Sequence, residues 1–177
     1  KEPEQRAAFI ALLQTHVIDI PDRRAPELDE TQRDAVGDYT EQYAVLSALD
    51  TLVRQQAQHL ANAFRHEDLT SLAQLRARHE TLQADRQALA AGREALHQAQ
   101  ARAQSERTEW EQPADLQPVY IAAYDKIVTQ PAGVLDALTD TALASLDDAL
   151  LTADFMAKHA DQITIDADSA AVLNPSV

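Results

Sequence analysis

Two heptad-spaced stripes constrain this chain more than any other feature. Val36, Tyr39, Tyr43, Leu46, Asp50, Val53, Ala57, Leu60 and Phe64 alternate steps of three and four, with one polar intruder at Asp50. Such a row forms one seam of a long helix that packs against another helix. Leu75, Leu82, Leu89 and Leu96 follow at intervals of seven and continue through Ala103 to Trp110. The other seam positions of this second arm are His79, Arg86, Arg93, Gln100 and Arg107, so its apolar stripe is narrow with polar shoulders. "RHEDLTS" (65–71) separates the arms, and Asp68 or Thr70 supplies a cap for the second. The arms predict an antiparallel hairpin over residues 30–112. A turn near Glu67 sets Val53 against Leu82, Leu46 against Leu89, Tyr39 against Leu96 and Asp50 beside Arg86. That pairing is an ion pair that would specify register more than add stability.

The flanking segments are helical too. Pro3, behind Glu2, opens a helix that reaches Val17 through Phe9, Ile10 and Leu13. "DIPDRRAPELD" (19–29) is a loop, and Asp29 with Gln32 has capping-box spacing, which starts the first arm near Glu30. After Pro113, "DLQPVYIAAYDKIVT" (115–129) predicts a short helix capped by Asp115. Its buried face is Tyr120, Ile121, Tyr124, Ile127 and Val128. Pro131 opens a further helix through residue 162, with Leu135, Leu138, Ala142, Leu146, Ala149, Ala153 and Met156 inward. The tail, 163–177, alternates weakly and is compatible with a small β-hairpin. Only 3 glycines and 5% aromatic residues in 177 agree with this helical reading. The expected fold is therefore all-α and a single domain over 1–177. A long helical hairpin packs on a base formed by the helices at 1–18 and 115–162.

Chemistry is harder to find. A net charge of −14 argues against nucleic acid or an anionic membrane surface as a direct partner. No stretch approaches the ~20 apolar residues of a spanning helix. Zero cysteine removes disulfides, thiol nucleophiles and thiolate metal sites from this chain. Glu94 and His97 form one Glu-x-x-His, but a four-helix di-iron site needs two. "DADS" (166–169) lacks the glycine and the distal glutamate of a calcium loop and reads as a turn. His79, on the seam, is expected to be half-buried and hydrogen-bonded. Asp140, Asp147, Asp154 and Asp161 line one flank of the last long helix. They are read first as a solvated face, and otherwise as a patch for a basic partner or divalent cations. The arginines of the second arm read as a salt-bridged surface. Neither a nucleophile elbow nor a phosphate-binding glycine pattern occurs. The residues thus propose no catalytic, cofactor or metal site, and the protein is expected not to be an enzyme. A weaker alternative is a binding module for a small apolar or lipidic ligand near Tyr39, Tyr43, Tyr120 and Tyr124.

The blocks "KEPEQRAAFIALLQ" (1–14), "DETQRDAVGDYTEQYAVL" (29–46) and "DLQPVYIAAYDKIVTQPAGVL" (115–135) resemble the YiaF-like bacterial lipoproteins, a family of unknown function. Their order and spacing agree as well. The resemblance implies an upstream signal peptide and lipidated cysteine, with the folded body in the cell envelope facing the periplasm. Together with the long helical arms and the missing catalytic constellation, that address sets the expectation of a structural or protein-interaction role with an envelope protein as partner, and of contact with the membrane only through the lipid anchor. The family brings no functional residues to carry over.

Overall fold

In a computed structural model, described over residues 1–65, 72–166 and 169–172, the chain is built almost entirely of helices. They are α1 (Glu2–Leu13), α2 (Glu30–Val36), α3 (Thr40–Phe64), α4 (Leu72–Ala77), α5 (His79–Glu109), α6 (Gln117–Tyr124) and α7 (Gln130–Lys158). Two strands, β1 (Ile163–Asp166) and β2 (Ser169–Val172), pair antiparallel with Ile163 opposite Val172. The candidate caps Asp68 and Thr70, and the centre of "DADS", lie outside the described residues. The contacts group the chain into two units, Lys1–Gln55 with Glu94–Leu135, and Gln56–Arg93 with Asp136–Val177.

In the first unit α1 ends in a π-helical turn, Gln14–Ile18, and packs on α2 and α6. Asp29 forms the expected capping box with Gln32, each side chain bonding the other's backbone. The expected single helix beyond Glu30 is broken, however. Gly37 takes φ +52° and ψ −114°, a region open essentially to glycine, and a 3₁₀ turn through Tyr39 leads into α3. Phe9 fills the resulting corner, stacked on Tyr39 at 5.2 Å and tilted against Tyr120 at 6.3 Å. Asp115 does not cap α6. It sits 3.4 Å from Arg6, and Leu116 occupies the cap position with its side chain buried. A second π turn, Asp125–Thr129, joins α6 to α7 without a break. Pro131 has no N–H for the carbonyl four residues back, and a wider turn just upstream accommodates that loss. Ile121, expected inward, is exposed.

The second unit shows the leucine stripe as read: Leu75, Leu82 and Leu89 are buried. Each such burial contributes roughly 1.5–3 kcal/mol. The facing residues on α3 differ from expectation, since Gln56 and Ala63 are buried while Ala57 and Phe64 are exposed. The register differs accordingly: the Leu89 carbonyl accepts a hydrogen bond from Gln56, where Leu46 was expected opposite. Residues 72–77 form α4, which packs on β1 and carries Leu75 of the stripe, with Arg78 alone between it and α5. The proposed Asp50–Arg86 pair does not form. Asp50 accepts from the Ala25 amide and lies 3.4 Å from Arg54, while Arg86 binds Asp147. Along α7, Thr139 is buried and Leu138 exposed, the reverse of the pattern expected there.

Candidate functional site

The four tyrosines singled out in the sequence all lie in the first unit, and their hydroxyls are largely spent on structure. Tyr39 donates to Glu2 at 2.7 Å, Tyr43 to the Pro26 carbonyl at 2.9 Å, and Tyr120 to the Gln42 carbonyl at 2.8 Å. Trp110 meets Tyr120 edge-on at 5.5 Å, and the Arg107 guanidinium lies over the Tyr124 ring at 4.8 Å. Burial pushes every phenol upward, to about 12 for Tyr39 and Tyr43. Tyr120 and Tyr124 move the same way for the same reason, opposed by Arg107. For Tyr39 the acceptor Glu2 adds to the shift. A phenol whose folded value is raised stabilises the fold fully below its unfolded value of about 10. That contribution is lost as pH climbs through the folded value. An absorbance titration should therefore show Tyr39, Tyr43 and Tyr120 ionising well above the ordinary value of about 10, late and together with unfolding. Ionisation of all four tyrosines at about 10 while the protein stays folded would contradict this packing.

One groove borders this cluster. It encloses about 350 Å³ beside Tyr43 and is lined by Glu27, Leu28, Arg33, Thr40, Ser47 and Thr51, among others. Tyr39, Tyr120 and Tyr124 do not line it. Glu27 and Leu28 bring the end of the loop 19–29 into its wall, and that loop is held at three points. Lys126 donates to the carbonyls of Val17, Ile18 and Ile20, Asp50 accepts from Ala25, and Tyr43 donates to Pro26. Sequence reading missed Lys126, because nothing local marks a lysine whose partners lie more than a hundred residues away.

The second unit holds a charged ladder between α5 and α7. His79 contacts Asp154 at 2.7 Å, Arg86 grips Asp147 with Nε and Nη2, and Arg93 binds Asp140. Each step of seven along α5 is matched by a step of seven back along α7, so the two helices run antiparallel here. Three of the four aspartates of the row, Asp140, Asp147 and Asp154, thus meet a basic partner within the same chain while staying about half solvent-exposed or more, so the row is the solvated face first read in the sequence with its charges paired internally. Arg86 holds the Asp147 carboxyl below the usual carboxylate range through its hydrogen bond. A carboxylate depressed on folding stabilises above its unfolded value, about 3.9, and loses that contribution as pH falls through the lowered one. The melting-temperature gap between wild type and Arg86→Ala should therefore be present at neutral pH, narrow in acid and shrink in high salt, since the pair is half-exposed. A gap constant from neutral to strongly acid pH would show that Arg86 acts through packing instead.

Beneath the ladder, Gln56 is almost fully buried and donates to Leu89 O and Thr139 Oγ1, both at 3.1 Å. A β-carbon at Gly92 would come within 2.2 Å of its side-chain oxygen. Gly92, set among strong helix formers, was the available signal for this close approach. Glu94 accepts from Gln98 at 2.8 Å. Among the described residues no group of three potential ligands converges on a metal position, and no helix is long and apolar enough to cross a membrane.

Comparison with known proteins adds the family. The uncharacterized protein YiaF of Escherichia coli K12 is 28% identical over 178 residues, spanning 95% of this chain and 72% of that protein. The Shigella flexneri protein of the same name matches to the same extent. No solved structure matches. A family model described as "Protein of unknown function (DUF3053)" matches residues 1–177. The chain therefore belongs to this family of proteins of unknown function, as the resemblance of its three sequence blocks to YiaF-like proteins implied.

Proposed function

We propose that this protein is a non-enzymatic envelope lipoprotein, held by an upstream lipid anchor, whose folded body faces the periplasm and acts as a structural or protein-interaction module. The observation that supports this reading is where the reactive side chains go. The hydroxyls of Tyr39, Tyr43 and Tyr120 and the charges of Arg86, Arg93 and Lys126 hold helices and a loop together. Groups committed in this way stiffen a scaffold and leave its surfaces to do the work. Expressed from its full-length gene, the protein should sediment with envelopes and incorporate a fatty-acid label. It should also become protease-accessible once the outer membrane is permeabilised. Recovery as an unlabelled cytosolic protein would overturn the placement. A crosslinking pulldown from the same envelopes tests for an envelope partner.

The groove at Tyr43 favours a second reading, since about 350 Å³ is within the range of small-ligand sites. A small apolar or lipidic molecule would lie along Leu28 and Ala44 between Arg33 and Glu27. Native mass spectrometry of gently extracted protein should then show a bound mass that Ala44→Trp abolishes.

A further inference from the structure

Three polar groups in the groove beside Tyr43 have no partner among the described residues. Ser47 lines the groove at 9% exposure, and its hydroxyl bonds to none of them. A hydroxyl so far withdrawn from water costs free energy unless a partner reaches it. The Arg33 guanidinium and the Glu27 carboxylate line the same groove, and neither pairs with the other or with any other described residue. Arg6 and Arg54 of the same unit, by contrast, each reach an aspartate. The remaining polar lining is spent on the backbone. Tyr43 donates to Pro26 O at 2.9 Å, Thr40 to Gly37 O at 2.7 Å and Thr51 to Ser47 O at 3.1 Å. The threonine oxygens keep lone pairs with which to accept.

These unspent groups define a ligand by complementarity. Arg33 and Ser47 offer donors to an anionic group, Glu27 and the threonine oxygens offer acceptors to a cationic one, and Leu28, Ala44 and Ala48 supply apolar wall. We propose that the groove binds a small zwitterion, an α-amino acid with an apolar side chain. Its carboxylate bonds to Arg33 and Ser47, its ammonium to Glu27, and its side chain lies on the apolar wall. A plain hydrocarbon would bury all three polar groups with nothing in return, and a simple anion would leave Glu27 opposed to it. A volume of about 350 Å³ stands at the small end of ligand sites, which suits a molecule of this size better than a diacyl lipid. Glu27 and Leu28 follow directly on Ala25 and Pro26, which Asp50 and Tyr43 hold, so this wall is ordered before a ligand arrives. The inference rests on the binding-module reading of the groove and names the chemistry of its ligand.

The test removes one charge of the ligand at a time. In NMR titrations of the wild type, L-valine, L-leucine or L-phenylalanine should shift the amide signals of α3 around Ser47. L-Leucine should bind roughly tenfold or more tightly than isocaproate, which lacks only the ammonium, or isoamylamine, which lacks only the carboxylate. Arg33→Gln should abolish the advantage of leucine over the amine, and Glu27→Gln its advantage over the acid. Ser47→Ala should weaken leucine and isocaproate several-fold and leave isoamylamine unchanged. The ligand series on wild type needs no variant, and circular dichroism confirms that each substituted protein keeps its helices. Equal binding of leucine and isoamyl alcohol, indifferent to Arg33→Gln, overturns the proposal and leaves an apolar site. A lipidic mass that Ala44→Trp abolishes, with no response to any of the three amino acids, does the same. No bound mass and no response to any of these probes overturns the ligand reading together with the proposal.

Discussion

Gly37→Ala should cost about 2–5 kcal/mol of stability, the largest loss expected from adding one methyl group to this chain. Two independent causes combine. The backbone there has φ +52° and ψ −114°, which an L side chain rarely adopts. A β-carbon would also fall 1.8 Å from Gln5 Nε2 and 2.4 Å from Gln5 Cδ. Gln5 cannot simply swing away, since it is buried on α1 where that helix packs on α2 and the turn after it. Urea denaturation measures the loss, and the double variant Gln5→Ala/Gly37→Ala separates the causes. Removing the Gln5 side chain should recover the collision while leaving the backbone strain. A Gly37→Ala protein within about 0.5 kcal/mol of wild type would show that the turn can relax into another conformation.

Asp50→Ala is expected to cost about 1.5–3 kcal/mol, in the range for a hydrogen bond to a charged group. Asp50 is 1% exposed, and its Oδ2 accepts from the Ala25 amide at 2.9 Å. Truncation would leave that amide without its carboxylate partner in a site where Ala25 is itself 1% exposed. Asp50→Asn should cost less, because the amide oxygen still accepts. Arg54→Ala should cost under about 1 kcal/mol, Arg54 being half-exposed. Amide exchange gives the sharper readout: Ala25 should lose protection in Asp50→Ala while the stacked Phe9–Tyr39 region keeps its own. Unchanged protection at Ala25 would mean that Lys126 and Tyr43 hold the loop alone.

The same residue shows how far sequence reading reached. Asp50 stands out as the polar intruder in an apolar row, and it is buried as that position demands. Its partner was misassigned because the nearest basic residue was sought across the seam, whereas a backbone amide of a proline-flanked loop binds it. The leucine stripe on the second arm was legible for a simple reason. An apolar residue every seventh position can only bury itself on one side of a helix. The break at Gly37 and the π turn before Pro131 are marked only by one glycine and one proline, and a single residue says far less than a seven-residue period about what the backbone does beside it.

The candidate surfaces divide in the same way. Asp140, Asp147 and Asp154 were visible as a row, and so were His79, Arg86 and Arg93, but their union as one ladder required α5 and α7 to lie side by side. The tyrosines could be recognised as partly polar core residues, but which carbonyl each would meet could not. Sequence alone determined the helical class, the capping box at Asp29, the leucine stripe and the family, because these depend on periodicity, local hydrogen bonding and residue order. Only the tertiary structure decided the register, the buried Gln56 against Gly92 and the three ties on the 19–29 loop. Those depend on which surfaces meet, and a contact between residues far apart in the chain leaves no mark on the spacing of either.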